Sequence, residues 1–499
     1  MKKLETTQTT GTNEPYSVFP QWRRYSIGVL GSMTGLLSPL TANIYLPALI
    51  AIQKDLNTTA ELVNISVTVY MVFQGLAPAF WGSVTDLWGR RPVYLTTLLV
   101  YIGACVGLAL IKNYPGLLVL RMLQATGSSS VIAIGAGIVG DITTPEERGT
   151  FYGVYSVGQL LGPVLGPVIG GAVTETLGWH WIFWILTILA STLYLCLFFF
   201  LPETLRALVG NGSGYANPTP WQYVQRQIAK RRGEPLPPAA DPGRFKRMPN
   251  LFASFIYLTN PDIFFLLMFN AFQYAMFYCV LTSTPDLFTS MYGLSEMQIG
   301  LCYLALSVGC IIGSVGNGRI LDYSFSRVVR KTGIQAKRGR LPLEFPIYKT
   351  RLGVVWVPSI LMICAMIAYG WALHYNAPLA VALVLQFFCG LCTTAVSGTT
   401  QTLMVDLFPG KGASITGSAN FTRCLLGALG TVAIQPGIER IGVGWMFTAI
   451  SLVLVAVFSF IPILLKFGPK WRQRREEKNM ERQRKKQQES AIIGGKPQE

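Results

Sequence analysis

Apolar residues in this chain come in runs, each of roughly the twenty residues needed to cross about 30 Å of hydrocarbon. Twelve runs stand out, at 26–50, 62–84, 92–112, 116–140, 151–175, 179–201, 261–285, 297–321, 352–373, 377–407, 414–438 and 443–466. Between them lie short polar turns, so the pattern predicts helices that go back and forth across a membrane. Residues 1–23 are polar and carry no apolar signal-peptide core.

The longest polar interruption, 203–260, contains "GNGSGYANPTP" and "KRRGEPLPPAADPGR" and reads as a linker. It divides the chain into a tail (1–23), a first six-helix bundle (24–202), the cytosolic linker (203–260), a second bundle (261–466) and a basic tail (467–499). The bundles echo each other. Gly82 and Asp86 after run two are matched by Gly318 and Asp322 after run eight, each Asp followed five residues later by an arginine (Arg91, Arg327). "LVLR" at 118–121 is matched by "LVLQ" at 383–386, and Asp141/Asp406 and Gly162/Gly427 keep the same offset of 265. The predicted fold is all-α and integral to the membrane, with twelve transmembrane helices in two pseudo-symmetric bundles. Such a repeat is the signature of a secondary transporter with its site between the halves.

Charge fixes the orientation. The net charge is +17, and 36 of the 41 Lys and Arg lie in the two tails and the even-to-odd loops. Lys54, Lys112 and Arg440 lie on the opposite side, and Arg121 and Arg423 within spans. This asymmetry puts both termini in the cytosol and argues against a nucleic-acid partner. The tail "KWRQRREEKNMERQRKKQQES" reads as solvated and orientation-fixing, with anionic lipid headgroups as its alternative partner. A plasma membrane is the first reading and a vacuolar or other internal membrane the second. All nine cysteines fall in spans, which disfavours a disulfide framework. Cys389 and Cys392 form a CxxC on an apolar helix with no neighbouring ligands, so no metal is expected. Asn57 opens a sequon close to the membrane, a poor glycosylation site.

Three stretches carry motifs. "GSVTDLWGRRPVYL" (82–95) resembles the loop 2–3 signature of the major facilitator superfamily, with Gly82, Asp86, Gly89, Arg90 and Arg91 in place. The resemblance implies a turn whose carboxylate and arginines latch the halves, with Asp322 as the echo. "LVLRMLQATG" (118–127) resembles the span-four signature through Arg121, Gln124 and Gly127, with Ala125 in place of a glycine. "GQLLGPVLGPVIGGAV" (158–173) resembles the span-five antiporter signature through Gly158, Gly162, Pro163, Gly166, Pro167, Gly170 and Gly171. Glycines four apart share one helix face and admit close backbone approach. Ser307, Gly309, Gly313 and Ser314 of span eight are the expected partner, making a seam where the halves rock. A static packing seam is the plainer alternative. "SPLTANIYLPAL" (38–49), "LPETL" (201–205), "NFTRCLLGALG" (420–430) and "RGRLPLEFPIYKTRL" (338–352) resemble fungal twelve-span drug:proton antiporters of the quinidine-resistance type, a group that includes organic-acid exporters. This resemblance implies efflux.

Other readings fall away. Gly135-x-Gly137-x-x-Gly140 imitates a dinucleotide fingerprint, but it ends a membrane helix with no strand before it. No Walker-type GxxxxGK[ST] occurs, so an ATP-driven pump is disfavoured. No nucleophile–base pair or metal cluster occurs in the spans, so the chain is not read as an enzyme; no cofactor is expected, and the working unit is a monomer.

The buried charges point to the cargo. Arg121 and Arg423 lie inside spans, where an arginine costs about 2.5–3.5 kcal/mol on insertion scales. No Asp or Glu lies well inside a span, and His180 and His374 sit near span ends. Two permanent cations without an anion favour a carboxylate-bearing substrate such as a di- or tricarboxylate, citrate-like in kind. Candidate cavity residues are Arg121, Gln124, Arg423, Asn420, Asn43, Tyr45, Gln386 and, at helical spacing on span seven, Asn270, Gln273 and Tyr274, with Gln74 and Gln159 beside them. The same lack of a titratable centre weakens the proton coupling that the resemblance implies, because arginine does not titrate in the working range. The rival readings are a multidrug exporter, with Tyr274, Phe277 and Tyr278 as an adaptable aromatic pocket, and a transporter-like receptor signalling through the linker or tail.

Overall fold

Among the described residues, twelve long helices carry the twelve apolar runs: α1 (Gln21–Ile44), α2 (Ala60–Trp88), α3 (Arg90–Leu110), α4 (Tyr114–Ile142), α5 (Arg148–Leu177), α6 (His180–Phe200), α7 (Pro261–Tyr292), α8 (Glu296–Thr332), α9 (Trp356–His374), α10 (Leu379–Leu407), α11 (Gly412–Ile441) and α12 (Val443–Phe458). A further helix, Phe460–Gly494, follows α12 into the tail. The structure is a computed structural model that describes residues 17–143, 148–233, 258–333, 342–408 and 412–494; residues 1–16, most of the expected linker and 338–341 of the quoted insertion lie outside them. Among the described residues there is no strand.

Among the described residues, ten helical stretches are long and apolar enough to span a membrane. In α5 the stretch Leu161–Leu177 is apolar, and α11 is diluted by Ser, Thr, Asn, Arg and Gln. Helix starts follow local chemistry. Thr59 and Asn113 accept backbone N–H bonds at the heads of α2 and α4, and Ser295 with Gln298 forms a reciprocal capping box on α8.

Helix contacts repeat in the two halves. In the first, α1 packs on α5, α2 on α4, and α3 on α4 and α6; in the second, α7 packs on α11, α8 on α10, and α9 on α10 and α12. The halves meet along α2 with α11 and α5 with α8, two junctions related by the same repeat. Where they meet, Thr68 and Thr431 are 2.7 Å apart through their hydroxyls, and Met297 N–H donates to Glu175 at 2.9 Å. Both contacts lie toward the end that carries the α1–α2, α5–α6 and α7–α8 loops. The halves are therefore closed together at the end opposite the chain termini.

The glycine face of α5 does not pack where the sequence suggested. A methyl group on Gly158 would strike the Ser32 carbonyl, one on Gly162 would lie 2.7 Å from Leu40 N, one on Gly166 3.0 Å from Asn43 Cβ, and one on Gly170 would strike the Ile44 carbonyl. All four neighbours belong to α1, in the same half. Gly309 and Gly313 likewise press on Phe387 and Leu391 of α10, not on α5. What joins α5 to α8 is the adjacent edge: Gly171 against Glu296, Gly300 against the Pro167 carbonyl, and the Ser307 hydroxyl donating to the Pro163 carbonyl at 3.0 Å. Pro167 has no N–H to give the Pro163 carbonyl, and the Ser307 hydroxyl supplies that donor instead.

The C-terminal helix also departs from a solvated tail. Trp471 stacks on Phe265 at 5.9 Å and on Phe467 at 5.8 Å. Arg475 pairs with the buried Asp262 at 2.5 Å, and the Tyr348 hydroxyl donates to the same carboxylate at 2.9 Å. Burial and the neighbouring Asp262 carboxylate hold the Tyr348 phenol above its ordinary range, which keeps it a donor.

Candidate functional site

Arg121 is fully buried near the N-terminal third of α4, and the fold dresses it with neutral groups. Its guanidinium lies 3.9 Å from the Tyr45 ring centre and 4.3 Å from that of Tyr70, and donates to Gln124 Oε1 at 2.8 Å. Gln124 in turn donates to Cys105 at 3.3 Å. The two rings are themselves anchored, Tyr45 to Ser66 at 2.7 Å and Tyr70 to Ser128 at 2.9 Å. Two guanidinium nitrogens, Nε and one Nη, have no partner among the described residues. Flat aromatic faces stabilise a desolvated guanidinium by about 2 kcal/mol or more. Tyr70 is the residue that sequence reading missed; it lies one helical turn before Gln74, which was on the candidate list.

Arg423 sits in a second cluster on α11. Its Nε and one Nη donate to Asn420 Oδ1 at 3.2 and 2.9 Å, and its guanidinium lies 4.8 Å from the Tyr274 ring centre. Unlike Arg121 it is only partly buried. Asn420 bridges the halves by donating to the Gln74 carbonyl at 3.1 Å. One stretch of α2 thus serves both arginines: Tyr70 covers Arg121, while Met71 and Gly75 press on Gly427 and Cys424 of α11. Neither guanidinium has a carboxylate partner among the described residues.

The remaining candidates divide. Asn270 and Gln273 are buried on α7, each with its amide oxygen unpartnered among the described residues. Gln386, at the position in α10 that repeats Arg121, donates to Thr284 at 2.9 Å and Tyr369 at 3.1 Å. Asn43 donates to the Pro39 carbonyl at 2.7 Å and packs at the α1–α5 contact.

The loop 2–3 motif forms a tight polar knot. Gly89 adopts φ +108°, a conformation that side chains resist. The Glu203 carboxylate of "LPETL" then accepts from the backbone of Arg90 at 2.8 Å and Arg91 at 3.4 Å, at the head of α3. Arg90 pairs with Asp86 at 2.8 Å and Asp141 at 2.9 Å. Arg91 donates to the carbonyls of Phe198 at 2.7 Å and Pro218 at 2.8 Å. All these partners belong to the first half or to the segment just after α6, so among the described residues the knot ties α2, α3 and α4 together and does not reach the second half. Gly82 has open space around it. Asp322 is exposed and has no ion pair among the described residues. The repeat of the Arg90–Asp141 pair is Arg351–Asp406, at 2.9 Å, whose arginine comes from the long 8–9 loop.

Two repeated sets of membrane-crossing helices, meeting along polar and glycine-lined junctions, define a multi-pass membrane protein of the transporter class. Sequence comparison makes the assignment specific. The chain belongs to the Major Facilitator Superfamily, which it matches over residues 31–431. It is 36% identical to citrate exporter 1 of Aspergillus niger over 474 residues, 93% of this chain and 90% of that one. It is 34% identical to the multidrug transporter QDR2 of Candida glabrata over 481 residues, 91% of this chain and 82% of that one. Its fold is shared with the xylose transporter XylE of E. coli, with a TM-score of 0.61 at 15% identity over 89% of this chain and 98% of that chain.

Proposed function

We propose that this transporter exports a small organic anion of the di- or tricarboxylate class by alternating access. The observation that carries the reading is Arg423, a partly exposed cation at the junction of α11, α7 and α2 whose hydrogen bonds go to the neutral Asn420. A carboxylate is the partner that satisfies a guanidinium best, in a two-bond fork. Asn420, Tyr274, Gln74, Asn270 and Gln273 line the same site in this reading. Arg121, with Tyr45 and Gln124, supplies fixed positive potential from behind, and Gln386 and Asn43 hold helices in place. Residues 24–202 and 261–466 move as the two bodies. The termini and the open end face the cytosol, the arrangement that an exporter needs to load, and the plasma membrane is its site. With no Asp, Glu or His at mid-span, a proton travels on the cargo itself.

The relative named as a citrate exporter supports this cargo. The relative named as a multidrug transporter, together with the Tyr274–Tyr278 ring pair at 4.8 Å and Phe277 beside it, supports an amphipathic drug as the second reading. Counterflow with purified protein in liposomes separates them. Citrate-class acids exchange, cationic drugs do not, and Arg423→Ala abolishes exchange while Arg423→Lys retains part of it. Drug exchange that is indifferent to Arg423→Ala overturns the anion reading.

A further inference from the structure

The stretch read as a polar linker contains a well-formed helix, Pro220–Arg232, with the sequence PWQYVQRQIAKRR. Thr219 and Gln222 close a capping box at its head, Pro220 occupies the first turn, and Gly233 ends it in the left-handed conformation at φ +69°. None of its residues is buried. Trp221, Val224 and Ile228 are 67%, 48% and 44% exposed, and their i, i+3, i+7 spacing gathers them on one face. The helix carries Arg226, Lys230, Arg231 and Arg232 and no acidic residue.

Its place in the fold is fixed at one end. Arg91, at the head of α3, holds the carbonyls of Asn217 and Pro218 just before the helix, at 3.4 and 2.8 Å. Arg226 folds back over the Tyr215 ring at 3.8 Å. The helix therefore starts beside the ends of α3 and α6 on the side that bears the termini. At that end Phe199 and Phe200 close α6 with both rings exposed, and Trp88 closes α2 in the same way.

We propose that Pro220–Arg232 lies in the plane of the membrane surface as an anchor for anionic lipid. Trp221, Val224 and Ile228 enter the boundary between headgroups and acyl chains, and Arg231 and Arg232, on either side of that face, bind acidic headgroups. Arg231 and Arg232 flank the apolar face, which their aliphatic stems extend while the charges reach back to phosphate. Charge complementarity selects a lipid surface over an apolar protein groove, since an all-basic helix lacks the carboxylates that pair with a mixed-charge partner. Arg472 and Arg475 of the C-terminal helix, by contrast, are turned toward protein.

The test uses the full-length transporter in nanodiscs, with a fluorophore placed through Ile228→Cys or, on the other face, Tyr223→Cys; parent protein labelled in parallel gives the background from the exposed Cys364. In discs of phosphatidylcholine with phosphatidylserine, the probe at 228 is quenched by acyl-chain nitroxides and shielded from iodide. The probe at 223 behaves in the opposite way. Replacing phosphatidylserine by phosphatidylcholine lowers the inserted-to-free ratio, and R231Q/R232Q in the anionic discs lowers it by about fivefold per cation lost. Equal iodide access at 223 and 228 overturns the proposal, as does shielding at 228 without acyl-chain quenching, which indicates a protein cover. Insertion indifferent to both lipid charge and the double substitution also overturns it.

Discussion

Replacing the α5 glycines by alanine tests the close packing of α5 on α1. In a helix, Gly→Ala alone is worth about 1 kcal/mol in favour of alanine. A methyl group forced into a filled contact costs about 1–3 kcal/mol. At Gly158 and Gly170 the atom in the way is a backbone carbonyl of α1, which cannot rotate aside. The methyl therefore has to push α1 away, and the net effect is a loss of up to about 2 kcal/mol. At Gly166 the nearest atom is the Asn43 Cβ at 3.0 Å, and the two effects nearly cancel. Gly103, exposed on α3 with no neighbour within 4 Å, gains the full helix benefit. Thermal unfolding in detergent, followed with a thiol-reactive fluorophore, reads the order directly, because Cys105, Cys279, Cys302, Cys389, Cys392 and Cys424 are buried until the protein opens. The expected ranking of midpoints is Gly103→Ala above parent, Gly166→Ala near parent, and Gly158→Ala and Gly170→Ala below. Midpoints for Gly158→Ala or Gly170→Ala as high as that of Gly103→Ala would refute the packing argument.

Two further substitutions probe the polar knots. Gly89→Ala places a methyl 2.5 Å from Asn217 Nδ2, against the Glu203 carboxylate, at a φ of +108°; strain of about 1–3 kcal/mol should loosen the 201–219 segment, read as faster proteolysis there. Asp262→Asn leaves Arg475 partly buried without its anion, a loss of about 3–5 kcal/mol for a broken buried pair. Deuterium uptake in the 460–478 helix should rise sharply; uptake equal to parent would show that Trp471 stacking alone docks it.

The twelve helices were legible because each apolar run is longer than any soluble core helix requires, and the positions of their ends follow from cap residues and prolines. The inner repeat was legible too: Arg121 and Gln386 occupy equivalent places, each in a cluster with a tyrosine. What periodicity does not carry is the identity of the helix that covers a face. Glycines at 158, 162, 166 and 170 define a smooth stripe, but the stripe fits α1 and α8 equally until the bundle is assembled. The Arg90 motif was placed correctly as a turn, and its reach was misjudged because Glu203 and Asn217, its partners, are distant in sequence. Arg351 was overlooked for the same reason, although Asp406 had been flagged by its offset from Asp141. The Pro220–Arg232 helix carried a visible signal, Thr-Pro-x-Gln ahead and Gly behind, which the surrounding Gly and Pro obscured.

The distribution of strong and weak bonds bears on how the halves move. The ion pairs Arg90–Asp86, Arg90–Asp141, Arg351–Asp406 and Arg475–Asp262 each stay within one half, and Glu203 caps a helix of its own half. The contacts that cross are of another kind: Thr68 with Thr431, Ser307 with the Pro163 carbonyl, and Asn420 with the Gln74 carbonyl are neutral, and Glu175 meets α8 at its exposed edge. A neutral hydrogen bond exchanged for water costs about 0.5–1.5 kcal/mol, whereas separating a partly buried ion pair costs several times more. Counting polar bonds alone, opening along α2–α11 and α5–α8 costs less than breaking the ion pairs inside either half. Asn420 stands on that dividing line while also holding Arg423. In the proposed reading, a ligand that takes Arg423 away from Asn420 frees the amide oxygen and disturbs a bond across the junction, which would couple occupancy of the site to separation of the halves.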